Sequence, residues 1–324
     1  MSTHHLKEKR ILFIGPIFYH YHQEIIRELE HKGAIVDFLP ERDYTVRSKF
    51  YKRLGRKAYQ GYQDRYYFRL LEDYKDNHYD YFLLIKGELF PPAFVARIKE
   101  LNPGIKCILY QWDSMKRMHY ENLLPVFDKV ATFDPTDSQA YGLNYLPLFY
   151  TKVVADLRNI REEEQYDLLV LGMFLPERYE GLKKLIIYAE ANKLSLKYHI
   201  YLEKLHYYTQ KMKGKAIDLN LCSFHSLSYQ EVLALYRKST VIVDFSNVNQ
   251  AGLSMRVIEA LGAGKKLLTT NEKIKNEAFY DPKQIHVADW KQLAIPEDFF
   301  QTTYHDAKNL DYLRLDNWLD TLFG

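Results

Sequence analysis

The sequence predicts an α/β protein of two doubly wound, parallel-sheet domains facing a cleft. Three observations carry this expectation. Short apolar, β-branched runs alternate with helical stretches, a charged segment at 151–165 interrupts the alternation, and the alternation then restarts. At 324 residues the chain is long enough for two full-sized cores.

In the first half, 10–15 (R-I-L-F-I-G) reads as a buried strand, followed by the loop 16–22 and a helix through Ile25, Ile26 and Leu29 that Gly33 stops. Residues 34–39 form a second strand and 79–86 (Y-D-Y-F-L-L-I-K) a third. A helix over 91–101 precedes the strand 106–113 (K-C-I-L-Y-Q-W-D), and 129–133 and 145–149 supply two more strands. Residues 1–152 are thus the first domain, and 151–165, with R-E-E-E at 161–164, is read as a linker. The second domain, 166–295, opens on the strand 167–172 (D-L-L-V-L-G). Leu182, Leu185, Ile186 and Ala189 fall on one helical face, 196–202 is a strand, and Ser228 with Glu231 has the spacing of a capping box. A strand follows near 284–287, and 296–324 is a helical tail with Leu310, Leu313, Trp318 and Leu319 as core contacts, packing back on the first domain.

Chemistry concentrates between 240 and 271. T-V-I-V-D-F at 240–245 is a short strand, 246–252 a polar loop ending in Gly252, and 254–261 has helical spacing. Gly262 and Gly264 stop that helix before the strand 265–270. A helix that begins after a parallel strand presents free N–H groups and the positive end of a dipole, a ready phosphate site. Glu259 lies one to two turns inside, where a carboxylate can accept hydrogen bonds from sugar hydroxyls. The alternative is an ordinary βαβ unit with Arg256 and Glu259 paired at i,i+3 on its surface.

Composition excludes several classes. No G-x-G-x-x-G opens a helix after the first strand, and no phosphate-loop, H-E-x-x-H or clustered-cysteine pattern occurs. His20 and His22 have no accompanying carboxylate–histidine constellation, so no metal is expected. Cys107 and Cys222 sit in apolar, strand-like runs and read as reduced core residues of a cytoplasmic protein. The polar N-terminus is no signal peptide, and no apolar run approaches the roughly 18 residues a membrane span needs. A net charge of +3 is too small to imply nucleic acid as a partner, whereas 28 Tyr and 18 Phe supply many surfaces suited to stacking on sugars or bases.

With these elements in order, the chain resembles the glycosyltransferases built of two Rossmann-like domains (the GT-B fold), in particular bacterial enzymes that assemble capsule, exopolysaccharide and lipopolysaccharide. The motifs carrying the resemblance are I-K-G-E (85–88), Y-Q-W-D-S (110–114), F-D-P-T-D (133–137), Y-L-P-L-F-Y (145–150) and the segment 250–271. The resemblance implies a nucleoside-diphosphate sugar donor, UDP- or GDP-linked, with no cofactor, held mainly by the second domain. Glu259 in R-V-I-E-A-L-G-A-G matches the glutamate that holds the ribose hydroxyls, and the backbone of Gly252, Leu253 and Ser254 would receive the diphosphate. Retaining members carry an earlier glutamate eight residues upstream; Ala251 stands there, beside Gln250, which leaves the stereochemical outcome open. The phosphate-binding G-R-L-x-x-x-K element corresponds to G-M-F-L-P-E-R at 172–178, with Met173 in place of the arginine and Arg178 in place of the lysine. Arg256 is a second cation for the phosphates, because a guanidinium binds two oxygens at once. The alternative for Arg178 is a solvent-exposed arginine at a helix start.

The resemblance gives the first domain the acceptor, a glycan or lipid-linked glycan, and any catalytic base. His20 or His22 in the first β-α loop, or Asp113 at the end of Y-Q-W-D, could take the proton of an acceptor hydroxyl. Each histidine could equally be a polar loop residue bonded to backbone. Lys86 and Glu88, also at a strand end, would orient a substrate or form a structural ion pair. The segment 47–69 interleaves Arg and Lys with Phe and Tyr, which suggests peripheral contact with the inner face of an anionic membrane, each basic group contributing about 1 kcal/mol. A solvated helix face over packed tyrosines, or RNA binding by charge and stacking, are the alternatives there. Two further functions use the same scaffold: a non-catalytic module binding nucleotide sugar or glycan, and a nucleotide-sugar epimerase.

Overall fold

Runs of aliphatic residues with no polar alternation build a parallel sheet in each half of the chain, because helices cover both faces of such a sheet. The computed structural model describes residues 5–160, 162–246, 251–290, 293–301 and 309–324. They divide into two units, Met1–Pro147 with Leu315–Gly324, and Leu148–Arg314.

The first unit runs β1 (Arg10–Gly15), α1 (Tyr21–His31), β2 (Ile35–Pro40), α2 (Val46–Arg53), α3 (Arg56–Asp73), β3 (Tyr81–Ile85), α4 (Pro92–Leu101), β4 (Lys106–Gln111), α5 (Met115–Met118), β5 (Lys129–Thr132), α6 (Pro135–Tyr141) and β6 (Asn144–Tyr145). Its strands lie in the order β2-β1-β3-β4-β5-β6, every pair parallel. All five residues of β3 are buried. On one face, Leu12, Ile14, Phe82, Leu84 and Leu109 pack with Tyr67, Phe90, Phe94 and Ile98. The expected strand 145–149 pairs only through Asn144–Tyr145, since Pro147 has no N–H for the ladder.

The second unit runs α7 (Lys152–Asp156), β7 (Tyr166–Met173), α8 (Pro176–Ala191), β8 (Leu196–Tyr201), α9 (Lys204–Met212), α10 (Tyr229–Arg237), β9 (Ser239–Asp244), α11 (Met255–Gly262), β10 (Lys266–Thr269), β11 (Ile285–Val287) and α12 (Glu297–Gln301). Its strand order is β11-β10-β9-β7-β8, again all parallel. Ser228 and Glu231 close the expected capping box on α10. The stretch read as a linker is partly folded. Thr151 caps α7 by accepting from Val154 N, and Val154 and Leu157 are buried, so 148–160 belongs to the second unit.

The last helix, α13 (Leu315–Phe323), returns to the first unit. Trp318 is fully buried, donates from Nε1 to Pro147 O at 2.9 Å and meets the Tyr110 ring at 4.7 Å. Lys32 and Asp320 pair at 2.8 Å, and Phe323 packs on Tyr81. Residues 296–314 stay with the second unit, so the expected tail is split. Cys107 is buried, and burial pushes its thiol up to about 12; Cys222 is half-buried and packs against the core of the second unit. No helix among the described residues is long and apolar enough to cross a membrane.

Candidate functional sites

In the second unit the chain leaves β7 for β8 on one side and, later, β9 takes the other. The carboxyl edge between β7 and β9 is therefore the switch point, where open α/β sheets bind ligands. Gly172, the last residue but one of β7, has φ +151°, and a Cβ there would stand 2.7 Å from Arg178 Nη1 and 2.9 Å from Arg256 Nη2. Two guanidinium groups, one from the first turn of α8 and one from the first turn of α11, thus meet over a residue without a side chain. Arg178 Nη1 donates to Met173 O. Arg256 Nη1 lies 3.0 Å from Asp244 Oδ1, which also accepts from Ser254 Oγ at 2.9 Å. Thr269 Oγ1 donates to the other oxygen at 3.4 Å. Ser254, the N-cap of α11, accepts from Val257 N, so one hydroxyl ties the helix start to the end of β9.

The site residues expected here are brought to one edge. Gly252 and Leu253 are buried in the turn before the Ser254 cap, and Ala251 O accepts from Asn271 Nδ2 at 3.2 Å. Gln250 lies outside the described residues. Glu259 is buried, near enough to the enclosed Tyr236 phenol that its charge adds to the upward push burial gives that group. The surface i,i+3 pair is therefore corrected: Arg256 sits on Asp244, and Glu259 is buried rather than on the surface. Sequence reasoning missed Asp244. Its signal was an acidic residue ending the apolar strand T-V-I-V-D, where a buried carboxylate needs a cation.

No protein-family model matches the sequence, and no curated protein sequence does. Solved structures do. An α,α-trehalose-phosphate synthase (UDP-forming) from Burkholderia xenovorans superposes with a TM-score of 0.66 at 12% identity, over 97% of this chain and 99% of that one. The lipopolysaccharide outer core galactosyltransferase WaaB gives 0.53 at 12% identity over the same shares. A UDP-GlcNAc 2-epimerase from Neisseria meningitidis gives 0.56 at 11% identity, also over 97% and 99%. The chain has the GT-B fold. At these identities the likeness concerns the fold and leaves chemistry to the residues.

In the first unit of this GT-B protein the switch point lies between β1 and β3, and the loops after β2, β1, β3 and β4 stand side by side. His20 is the N-cap of α1; burial, then Arg27 and His22, lower its pKa to about 4. His22 is buried in the first turn of α1, its ring stacked on Phe38 at 5.1 Å, and burial lowers its pKa as well. Both rings are neutral near pH 7. Asp113 is buried between Lys86 Nζ, 3.5 Å from Oδ2, and Arg117 Nη1, 3.2 Å from Oδ1. Lys86 also stands 3.7 Å from Glu41 Oε1. Glu41, 1% exposed, was missed; in L-P-E-R-D it reads as a surface turn. Three of the residues 86–89 have positive φ (Lys86 +73°, Gly87 +71°, Leu89 +56°), a strained turn of the kind that clusters at functional sites.

Two of the motifs that carried the resemblance are structural. In F-D-P-T-D, Asp134 caps α6 by accepting from Thr136 N and Asp137 N, and Asp137 accepts from Met115 N and the Tyr120 hydroxyl. In Y-L-P-L-F-Y, Pro147 O receives the indole of Trp318.

Proposed function

We propose that this GT-B protein is a glycosyltransferase that moves a sugar from a nucleoside-diphosphate sugar, UDP- or GDP-linked, to a surface-polysaccharide or lipid-linked glycan acceptor. The observation that carries the reading is the convergence of Arg178 and Arg256 over Gly172 at the switch point of the second unit. Fixed cations there neutralise the diphosphate as the sugar–phosphate bond breaks, which removes the need for a metal ion. The helix start at Ser254, with the backbone of Gly252 and Leu253, adds N–H groups for the same oxygens. Glu259 takes the ribose hydroxyls.

On the acceptor side a base removes the hydroxyl proton, the oxygen attacks the anomeric carbon, and the nucleoside diphosphate leaves. His20 is in the neutral form a base requires, although a conjugate acid of about 4 makes it a weak one at pH 7. His22 and Asp113 are the other candidates. Contact with the inner face of a membrane is supported by α2 and α3. Val46, Phe50 and Leu54 are exposed at i, i+4 and i+8, amid the exposed cations Arg47, Lys49, Lys52, Arg53, Arg56, Lys57, Arg65 and Arg69. Tyr59 and Tyr67 are packed beneath. The same reading puts its work on the cytoplasmic side, where the anionic leaflet lies.

The test is a thermal-shift panel with UDP, GDP, ADP, CMP and TDP, with and without EDTA, on wild type and on the Arg178→Ala and Glu259→Ala variants, followed by a transfer assay with the donor it selects. Stabilisation by one diphosphate, insensitive to EDTA and lost in the variants, is expected. No response to any nucleotide sinks the donor site. The second reading, a nucleotide-sugar epimerase, draws on the epimerase among the structural neighbours; an epimeric donor formed without acceptor would favour it. Binding with neither transfer nor donor hydrolysis would favour a non-catalytic module.

A further inference from the structure

At the carboxyl edge of the first sheet, four parallel neighbours (β2, β1, β3 and β4) each end in a group that points to a ligand of definite chemistry. After β2 comes Glu41, whose backbone N–H continues the ladder to Gly15 O. Its carbonyl accepts from Tyr67 and Gln63 of α3, so the residue is fixed from below. The carboxylate is 99% enclosed. Oε2 accepts from Gly87 N at 3.3 Å, while Oε1 has no hydrogen-bond partner among the described residues. After β3 comes Lys86, whose carbonyl is held by Gln111 Nε2 at 2.6 Å. Its ammonium stands 3.7 Å from Glu41 Oε1 and 3.5 Å from Asp113 Oδ2. These are ion-pair distances, longer than an N–H···O hydrogen bond, which spans about 2.7–3.2 Å. An ammonium with three donors, centred between two carboxylates and hydrogen-bonded to neither, has donors available for a ligand oxygen. The Gln111 side chain is fully buried and its Oε1 is also without a hydrogen-bond partner.

The charges say which ligand. Two carboxyls, Glu41 and Asp113, face the cations Lys86 and Arg117; burial pushes the Glu41 carboxyl above its ordinary range, and Lys86 opposes that push. Arg42 and Glu88, the next charges around Glu41, act on it in opposite directions. Each cation of the site already faces a carboxyl, which leaves a phosphate less Coulombic advantage over a hydroxyl than unpaired cations would give it. An ammonium beside a carboxylate is, however, suited to a vicinal diol: one donates to a hydroxyl oxygen while the other accepts a hydroxyl proton. The rim is aromatic. Phe18 and Tyr19 are exposed, with their rings 4.6 Å apart, and Phe18 meets the Trp112 ring edge-on at 6.2 Å. Trp112 immediately precedes Asp113. Exposed rings beside a few convergent polar groups suit the apolar C–H face of a pyranose.

We propose that Lys86 and Asp113, with Glu41 positioning Lys86 and Phe18, Tyr19 and Trp112 forming the rim, make a subsite for a neutral saccharide. The role of that saccharide as acceptor rests on the transferase reading; its binding does not. Lys86 and Asp113 touch the sugar, and Glu41 acts through Lys86.

Saturation-transfer NMR tests this on the full chain, with glucose, galactose, N-acetylglucosamine and their disaccharides beside the matching sugar phosphates. At least one neutral sugar should bind, with its phosphate no tighter. Lys86→Met and Trp112→Leu should each weaken binding on the order of tenfold or more, the loss of a hydrogen bond to a charged group or of a packing ring. Glu41→Gln, which keeps the volume and removes the charge, should weaken it less. Nucleoside-diphosphate stabilisation, read by thermal shift, should stay unchanged in all three, which also shows that the variants fold. The proposal is overturned if no neutral sugar binds, if sugar phosphates bind preferentially through Lys86, or if the folded Lys86→Met and Trp112→Leu variants bind as wild type does. Sugar binding without any nucleotide response would instead leave the subsite standing and defeat the transferase reading.

Discussion

Gly172→Ala is the most informative single change, because it leaves both of the arginines proposed to bind the diphosphate in the sequence and alters where they can stand. The added methyl carbon would find Arg178 Nη1 at 2.7 Å and Arg256 Nη2 at 2.9 Å. Against an ordinary contact of about 3.5 Å, each guanidinium must retreat by about 0.6–0.8 Å. Both obstructing groups are the far ends of flexible side chains, so the steric penalty on folding is small. The backbone at φ +151° adds on the order of 1–3 kcal/mol of strain. Binding suffers more specifically. A hydrogen bond to a charged group contributes about 1.5–3 kcal/mol, so misaligning even one of the two arginines should raise the Kd for a nucleoside diphosphate by roughly 10–100-fold. Isothermal titration with UDP and GDP measures this, and calorimetric unfolding measures the strain separately. A variant with lowered Tm but wild-type affinity would refute the idea that the geometry at Gly172 sets the phosphate site.

Other substitutions probe neighbouring parts of the argument. Asp244→Ala removes the partner of a partly buried Arg256 and the acceptor of Ser254 and Thr269, and should cost about 3 kcal/mol or more in urea unfolding; a loss below about 1 kcal/mol would show that the pair does not anchor α11. Glu259→Gln preserves volume at a buried position and should weaken donor binding with little change in Tm; equal Kd values would remove Glu259 from the ribose site. His20 is held neutral in the folded chain with its pKa lowered to about 4, whereas the unfolded chain binds a proton near pH 6.5, so protons are taken up on unfolding and stability falls as pH drops from 6.5 towards 4. Allowing for solvent screening of a half-buried ring, His20→Asn should abolish on the order of 1–2 kcal/mol of that fall, seen by comparing urea midpoints at about pH 7 and about pH 4.5; identical pH dependence in variant and wild type would contradict it. Trp318→Ala should cost about 3–5 kcal/mol, because it empties a fully buried site and orphans Pro147 O; amide exchange of the first unit reports it.

What the sequence disclosed followed the range of the forces involved. The central strands, such as β3 and β9, were legible because they are almost continuous apolar runs, and α10 because Ser228 and Glu231 close their box within one turn. Arg178 and Arg256 were legible as neighbours because each occupies the first turn of the helix that comes next after a strand. Glu41 was not. It is charged, follows a proline and precedes two more charged residues, and what encloses it, Gln63 and Tyr67 of α3 and the turn at 86–89, comes further along the chain. α7 was hidden for a related reason: Lys152, Asp156 and Arg158 mask the two side chains, Val154 and Leu157, that bury it. Arg256 was assigned the wrong alternative partner because helical spacing offers Glu259 at i,i+3, whereas Asp244 arrives from the preceding strand.

The return of α13 to the first unit has a bearing on how the chain is made. Residues 315–324 leave the ribosome only after the whole of the second unit has been synthesised. Until then the first sheet lacks the indole that meets Tyr110 and Pro147 O and the partner of Lys32. The second unit, continuous from 148 to 314, can reach its native state first, although its synthesis begins later. The nascent first unit must meanwhile keep an apolar face uncovered, so its maturation should be the step that chaperones, synthesis rate and C-terminal truncation most affect.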